Sequence, residues 1–370
     1  MATLAVTPAP QSATGSNFVL ALAHFAEHQA SFTSRLGTLR QLMADCNQCI
    51  GEKKGEIDEG LPFRGMVVCP EYFFADFISG RREPLNEQQK DLVQASLLKL
   101  SAEFPKILLI PGTIFYVKNV VRPQESAKKM IKSGKHAGER IGELKTTDRK
   151  EKAVHAMHTA LSTGASSSND WVRETTTSDK VLGGKQVLSM NDKYRALRDG
   201  KAMTYCRNRT YLLLGGAQIG RYDKQADFRE STANTPDEMI FIPGTQNQIP
   251  EVAGLKFGIE ICFDHGNGVL KNRGVPVHFQ IVVSDWVNTD ASNCSLVPGG
   301  YFIHASTNAG ETKLYWNGTT GVTDLTDTNN YKVRIRHAKS GEKEIRFFLL
   351  SLPGPVAVAK KKGFLGKVFS

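Results

Sequence analysis

The sequence predicts an α/β protein in which helices cover a sheet. Strand-patterned and helix-patterned segments alternate from Phe18 to Tyr116, which is the order that usually builds a helix-covered sheet. The apolar runs are short and interrupted, as strands are, and 40% of the 370 residues are hydrophobic. That is enough to bury a large core as one big α/β unit or two ordinary domains.

The elements follow in order. Residues 1–16 are rich in Ala, Thr and Pro, with neither a basic start nor an apolar core, and read as a flexible N-terminus. Phe18 to Phe25 is a first buried strand, and Gln29 to Ile50 carries helix spacing through Phe32, Leu36, Leu39, Leu42 and Met43. Gly65 to Pro70 is a short buried strand that ends at Glu71-Tyr72-Phe73-Phe74. Asn86 is placed to cap a helix running to Phe104, with Leu92, Leu97 and Leu100 set to pack. Lys106 to Tyr116 reads as a third strand, interrupted by Pro111-Gly112.

The alternation then stops. From about residue 119 to 200 the chain is rich in Lys, Arg, Ser and Thr, with helical patches at Glu125 to Ser133 and Lys150 to Leu161, and it reads as a long basic insertion. Order returns with Ala202 to Cys206, a strand from Arg209 to a Gly215-Gly216 turn, and a return strand that delivers Lys224 at its end. Met239 to Gln248 is a short strand and turn, and Leu255 to Cys262, Val277 to Asp285 and Gly300 to Ala305 are buried strands. Tyr331 to His337 and Lys343 to Ser351 read as a closing antiparallel pair, and residues 354–370 form a basic tail.

Six cysteines without framework spacing suit reduced thiols, and with no apolar stretch of membrane-spanning length the expected location is cytoplasmic. Cys46-Asn-Gln-Cys49 lacks a second ligand pair, so neither a metal nor a redox role is read into it. The formal charge of +10 favours anionic partners, reached through the basic insertion and tail. No phosphate-cradling Gly loop and no metal-spaced Cys or His set is present, so no nucleotide or metal cofactor is expected.

Three groups at strand ends complement one another chemically. Gly258-Ile-Glu-Ile-Cys262-Phe-Asp-His265 presents a thiol where a buried strand meets a turn. On that octapeptide alone, a buried structural cysteine is the simpler reading. A thiol is mostly protonated at neutral pH, so a nucleophilic cysteine needs a base or a cation beside it. Glu71 offers the base. Lys224 offers the cation, which would also stabilise the oxyanion formed when sulfur adds to a carbonyl carbon.

The order Glu, Lys, Cys, carried by Cys-Pro-Glu71-Tyr-Phe-Phe, Gly220-Arg-Tyr-Asp-Lys224 and Gly258-Ile-Glu-Ile-Cys262-Phe-Asp264, resembles the nitrilase (carbon–nitrogen hydrolase) superfamily. The resemblance spans residues 17–353 apart from the insertion. It implies an αββα sandwich, a homodimer or higher oligomer, and a mechanism without cofactor. In that mechanism Glu71 deprotonates Cys262, and Lys224 with the backbone N–H of Phe263 holds the oxyanion. By position Glu230 is the candidate for the family's second glutamate, with Asp227 competing. Cys262-Phe-Asp is closer to amide-cleaving branches than to true nitrilases. The stretches after the cysteine depart from the family: Gly266-Asn-Gly-Val-Leu-Lys-Asn-Arg273 and Ser295-Leu-Val-Pro-Gly-Gly-Tyr301 stand where relatives have other motifs.

Tyr72, His265 and Trp286 are the expected pocket residues, with a core tryptophan and a turn-capping histidine as the plainer alternatives. Asp264 is placed to accept backbone N–H bonds. The expected function is hydrolysis of a non-peptide amide bond in a small molecule through a Cys thioester. N-acyl transfer through the same thioester, and a non-catalytic basic scaffold for nucleic acid or anionic membrane, are the alternatives.

Overall fold

A computed structural model gives the architecture and describes residues 17–25, 31–78, 81–119, 181–182, 185–186, 204–226, 239–244, 247–326 and 343–354. The chain begins with β1 (Asn17–Phe25), α1 (Phe32–Glu52), β2 (Gly65–Val68), β3 (Asp76–Ile78), β4 (Arg81–Glu83) and α2 (Glu87–Glu103). It continues with β5 (Ile107–Ile110), β6 (Thr113–Asn119), β7 (Val181–Leu182), β8 (Lys185–Gln186), β9 (Thr204–Leu214), β10 (Ala217–Asp223) and β11 (Met239–Phe241). Then come β12 (Glu251–Val252), β13 (Leu255–Ile261), the one-turn helices α3 (Phe263–Gly266) and α4 (Val269–Asn272), and β14 (Val277–Ser284). The last strands are β15 (Leu296–Ser306), β16 (Lys313–Gly318), β17 (Gly321–Asp324) and β18 (Lys343–Ser351).

Two large sheets form and face each other, and β3-β4 and β7-β8 are separate two-stranded sheets. The first runs β10-β9-β5-β2-β1-β18, with β6 and β11 also pairing β9; the second runs β12-β13-β14-β15-β16-β17. Each has a parallel heart, β1-β2-β5 in one and β13-β14-β15 in the other. Parallel strands are buried on both faces and so read as continuous apolar runs, which is why Phe18 to Phe25 carries little alternation. Its even residues Phe18, Leu20 and Leu22 enter the core between the sheets, where they meet Phe257, Phe279 and Ile281. Its odd residues Val19, Ala21 and Ala23 pack on the other face with Leu39, Leu42 and Leu97 of α1 and α2. Phe257 stacks on Phe279 at 5.0 Å between centroids, and Phe18 meets Phe279 edge-on at 5.7 Å, the geometry that aromatic quadrupoles favour.

Helix α2 starts where the sequence places it. The Asn86 side chain accepts from Gln89 N at 2.9 Å and the Gln89 side chain accepts from Asn86 N at 2.8 Å, a reciprocal capping box. Leu97 and Leu100 are buried, but Leu92 is 53% exposed, on the solvent side of the helix. On the outer face of the second sheet, the described residues contribute only short helical turns, α3, α4 and a 3-10 turn at Ala291–Asn293.

Some expectations are corrected. Lys106 to Tyr116 is not one strand: Pro111-Gly112 ends β5, and β6 leaves to pair antiparallel with β9 from Thr113↔Thr210 to Asn119↔Thr204. Gly112 has φ +76, and a Cβ there would stand 2.2 Å from the Pro70 carbonyl oxygen, so this turn needs glycine. Lys343 to Ser351 pairs antiparallel with all nine residues of β1, a partner the sequence did not indicate; Tyr331 to His337, its expected partner, lies outside the described residues. The β16-β17 hairpin was not foreseen, because Gly318 to Gly321 is the only turn signal in a polar stretch. Residues 1–16, the helical patches at 125–133 and 150–161, Tyr331 to His337, and 355–370 of the tail lie outside the described residues. Among the described residues, no helix is long and apolar enough to cross a membrane.

Candidate active site

Three strand ends bring the site together. Glu71 lies three residues past β2 and Lys224 directly past β10, both in the first sheet, while Cys262 directly follows β13 in the second. All three side chains are buried, Glu71 completely. Glu71 Oε1 accepts from Lys224 Nζ at 2.9 Å and from Asn208 Nδ2 at 2.8 Å, and its Oε2 accepts from the backbone N–H of Asp285 at 3.1 Å. A carboxylate removed from water needs this full set of donors, because an unpaired buried charge is strongly unfavourable.

Backbone geometry turns the thiol out of its strand. Cys262 N still donates to Val283 O at 2.9 Å, in line with the β13-β14 ladder, but its φ is +49 and ψ −110. Positive φ is costly for any residue with a Cβ, by about 1–3 kcal/mol, and such strain collects where a side chain must be presented in a fixed direction. Tyr72, the residue after Glu71, also has positive φ, at +53. Both reactive strand ends therefore close on strained turns. The Tyr72 turn is pinned by its N–H, which donates to Thr113 Oγ1 at 2.7 Å.

Burial pushes the Cys262 thiol up to about 12 and the Glu71 charge adds to that; Lys224 and the N–H groups of Asp285 and Trp286 pull it back. The resting thiol is thus protonated at neutral pH and needs a base to give up its proton. Asp264, two residues on, ties the cysteine turn to the lysine strand. Its Oδ1 accepts from Ala226 N at 2.6 Å, while Oδ2 accepts from Gln225 N at 3.0 Å and Tyr222 OH at 2.9 Å. Burial raises the Asp264 carboxyl to about 7, against the opposing pull of Lys224 and these donors.

The pocket residues separate. The Trp286 side chain is 69% exposed, while its backbone N–H serves the Cys262 sulfur. Tyr72 is half-buried, with the Arg82 guanidinium 4.7 Å and Lys224 Nζ 6.0 Å from its ring centroid. His265 is fully buried and turned to the outer face of the second sheet, not to an open pocket. Its Nδ1 lies 3.1 Å from Glu260 Oε2, its Nε2 accepts from Asp290 N at 3.2 Å, and its ring packs on Phe302 at 5.1 Å. Phe263 stands at the first position of α3, next to the thiol. Glu230 and Asp227 lie outside the described residues.

Sequence reasoning missed Asn208, Asp285 and Arg82. Asn208 lies between Arg207 and Arg209 in the mixed strand β9, where nothing in the local sequence marks it. Arg82 and Asp285 form a bidentate ion pair across 203 positions, which no local pattern announces. The Cys46 thiol is raised by complete burial and by Cys49 and Asp45, the behaviour of a packed side chain. Among the described residues, no group of three or more His, Cys, Asp or Glu side chains converges as metal ligands do.

No protein-family model and no curated protein sequence matches the chain. Solved structures do resemble it. Nit3 of Saccharomyces cerevisiae, a member of branch 10 of the nitrilase superfamily, matches at 14% identity and TM-score 0.44, over 94% of this chain and 97% of that one. An amidase from Nesterenkonia sp. matches at 10% identity and TM-score 0.45, over 92% of each chain. A glutamine-dependent NAD+ synthetase from Acinetobacter baumannii matches at 13% identity and TM-score 0.37, over 82% of this chain and 40% of that one. In structure, this chain is similar to solved members of the nitrilase superfamily.

Proposed function

We propose that this protein is a thiol-dependent hydrolase of the C–N bond in a small, non-peptide amide. The observation that carries the reading is the buried Lys224–Glu71–Asn208 cluster gathered at the strand ends beside a cysteine in a strained, positive-φ conformation. A buried lysine and glutamate serving structure alone would gain little over apolar residues of similar volume. Next to a nucleophile, each has a task.

In the proposed reaction Glu71 takes the Cys262 proton as the sulfur attacks the amide carbonyl carbon. The oxyanion is stabilised by the Lys224 ammonium and the N–H of Phe263. Collapse breaks the C–N bond, and the leaving amine takes the proton from Glu71. Water, deprotonated by Glu71, then attacks the thioester carbonyl; the C–S bond breaks to release the acid, and the Cys262 thiolate takes the proton back from Glu71. An amine in place of water turns the same thioester toward N-acyl transfer. In this reading the exposed Trp286, whose backbone N–H serves the sulfur, and Tyr72, whose ring lies 6.0 Å from Lys224 Nζ, meet the acyl group.

The test combines turnover with thiol labelling. Ammonia release from a panel of short aliphatic and aromatic primary amides is measured for the native protein, Cys262→Ala, Glu71→Gln and Lys224→Ala. Release by the native protein alone is expected. Iodoacetamide labelling of Cys262 at pH 8 should separate the two supporting residues: faster in Glu71→Gln, which loses a negative charge, and slower in Lys224→Ala, which loses a positive one. Absence of ammonia release across the panel, with labelling indifferent to both substitutions, would overturn the reading.

A further inference from the structure

The segment from Asp285 to Asp290 follows β14 and carries two backbone N–H groups into the site. That of Asp285 donates to Glu71 Oε2 at 3.1 Å, and those of Asp285 and Trp286 serve the Cys262 sulfur. A loop that aims donors at reacting atoms must itself be held, since catalytic geometry tolerates little displacement. One buried side chain spans it. His304, on the neighbouring strand β15, has Nε2 2.6 Å from Ser284 Oγ at the loop's start and Nδ1 2.7 Å from Thr289 Oγ1 near its end.

We propose that His304 is a positioning residue for the nucleophile. By bridging Ser284 and Thr289 it fixes the Asp285–Trp286 backbone, so that these N–H groups face Glu71 and the Cys262 sulfur. The assignment rests on the reading of Cys262 as nucleophile and Glu71 as its base. Other contacts support the same loop: Asp290 N donates to His265 Nε2 at 3.2 Å, and Thr289 N to Glu311 Oε2 at 2.7 Å. Ser306 Oγ and Thr307 Oγ1 donate to the Asp285 carbonyl at 3.1 and 2.7 Å, and Arg82 holds its carboxylate. Among the described residues, only His304 joins the two ends of the loop through a single ring.

The chemistry of that ring suits the task. His304 is fully buried, and burial, with His265 and Lys313 beside it, holds its imidazole well below the usual histidine range. A neutral imidazole has one donor and one acceptor nitrogen. Both of its partners are hydroxyls, which donate or accept as needed, so either tautomer satisfies every group. The side chain thus ties the loop without placing a charge near the thiol.

The test reads the thiol and not the fold. His304→Leu removes both contacts; His304→Gln puts an amide near the Nε2 position and keeps the reach to Ser284. Losing a donor to the sulfur disfavours the thiolate by about one to two pH units, so iodoacetamide labelling of Cys262 at pH 8 should slow about ten-fold or more in His304→Leu. His304→Gln should recover part of this, with Cys294 labelling unchanged in both. Thr289→Val, which frees only the far end of the loop, should slow Cys262 labelling in the same direction and covers the case in which His304→Leu fails to fold. Rates equal to native in these variants, or faster, would overturn the proposal. If labelling still responds to Glu71→Gln and Lys224→Ala, the positioning role alone fails; if it does not, the reading of Cys262 and Glu71 fails.

Discussion

Removing the lysine should leave a carboxylate stranded in the core. Glu71 is fully buried, and among the described residues Lys224 supplies the only formal positive charge hydrogen-bonded to it, at 2.9 Å. At an effective dielectric constant of about 20, unit charges at that distance attract by about 6 kcal/mol. The donors Asn208 Nδ2 and Asp285 N stay in place, so part of the loss is offset. Breaking a buried pair from one side costs roughly 3–5 kcal/mol, and Lys224→Met should fall in that range. Glu71→Gln leaves the buried ammonium facing an amide and should also destabilise. The double substitution, Lys224→Met with Glu71→Gln, removes both charges together. It should be more stable than Lys224→Met alone, giving a coupling of about 3 kcal/mol in a double-mutant cycle. Urea unfolding at pH 7, with amide turnover followed in parallel, measures this. Additive costs, or a Lys224→Met protein within about 1 kcal/mol of native, would refute the picture of a buried charge held by a single cation.

Two further outcomes are expected. Asp264, raised to about 7 by burial, binds its proton more tightly in the folded chain than in the unfolded one. Stability should therefore fall as pH rises from about 4 to about 7, by up to about 4 kcal/mol, while Asp264→Asn flattens that slope; equal slopes in urea melts would remove Asp264 as the cause. At Cys262, with φ +49, glycine relieves backbone strain that alanine keeps. Cys262→Gly should match or exceed Cys262→Ala in stability although glycine is the more flexible residue, and a Gly variant lower by more than about 1 kcal/mol would show the turn to be unstrained.

Much of this was legible in the chain itself, and for physical reasons. Glu71 and Cys262 stood out because charged or reactive residues at the ends of apolar strands violate the binary pattern around them, and Lys224, at the end of a polar strand, because it completes the Glu, Lys, Cys order. Asn86 announced its helix through a four-residue capping signal. Leu92 misled because helix spacing alone does not say where the buried arc ends, and α2 turns that residue to solvent. His265 misled by proximity: three positions from the thiol in sequence, it is carried by the first turn of α3 to Glu260 on the other side of its sheet. Asp285 and Arg82 stayed silent because their pairing is made by tertiary structure. So did the partner of Lys343 to Ser351, which lies more than 300 residues away.

That partner has a consequence for how the molecule is made. The β1-β18 ladder joins Asn17 to Ser351, so the first described strand waits for almost the whole chain to be synthesised before its outer edge is filled. Until then β1 offers a row of unpaired backbone groups on an apolar segment, Phe18 to Phe25, the kind of edge on which strands of other chains add. Contacts this distant in sequence also form slowly. Until β18 emerges the β1 side of the first sheet stays open, and once paired β18 itself becomes the end of that sheet among the described residues.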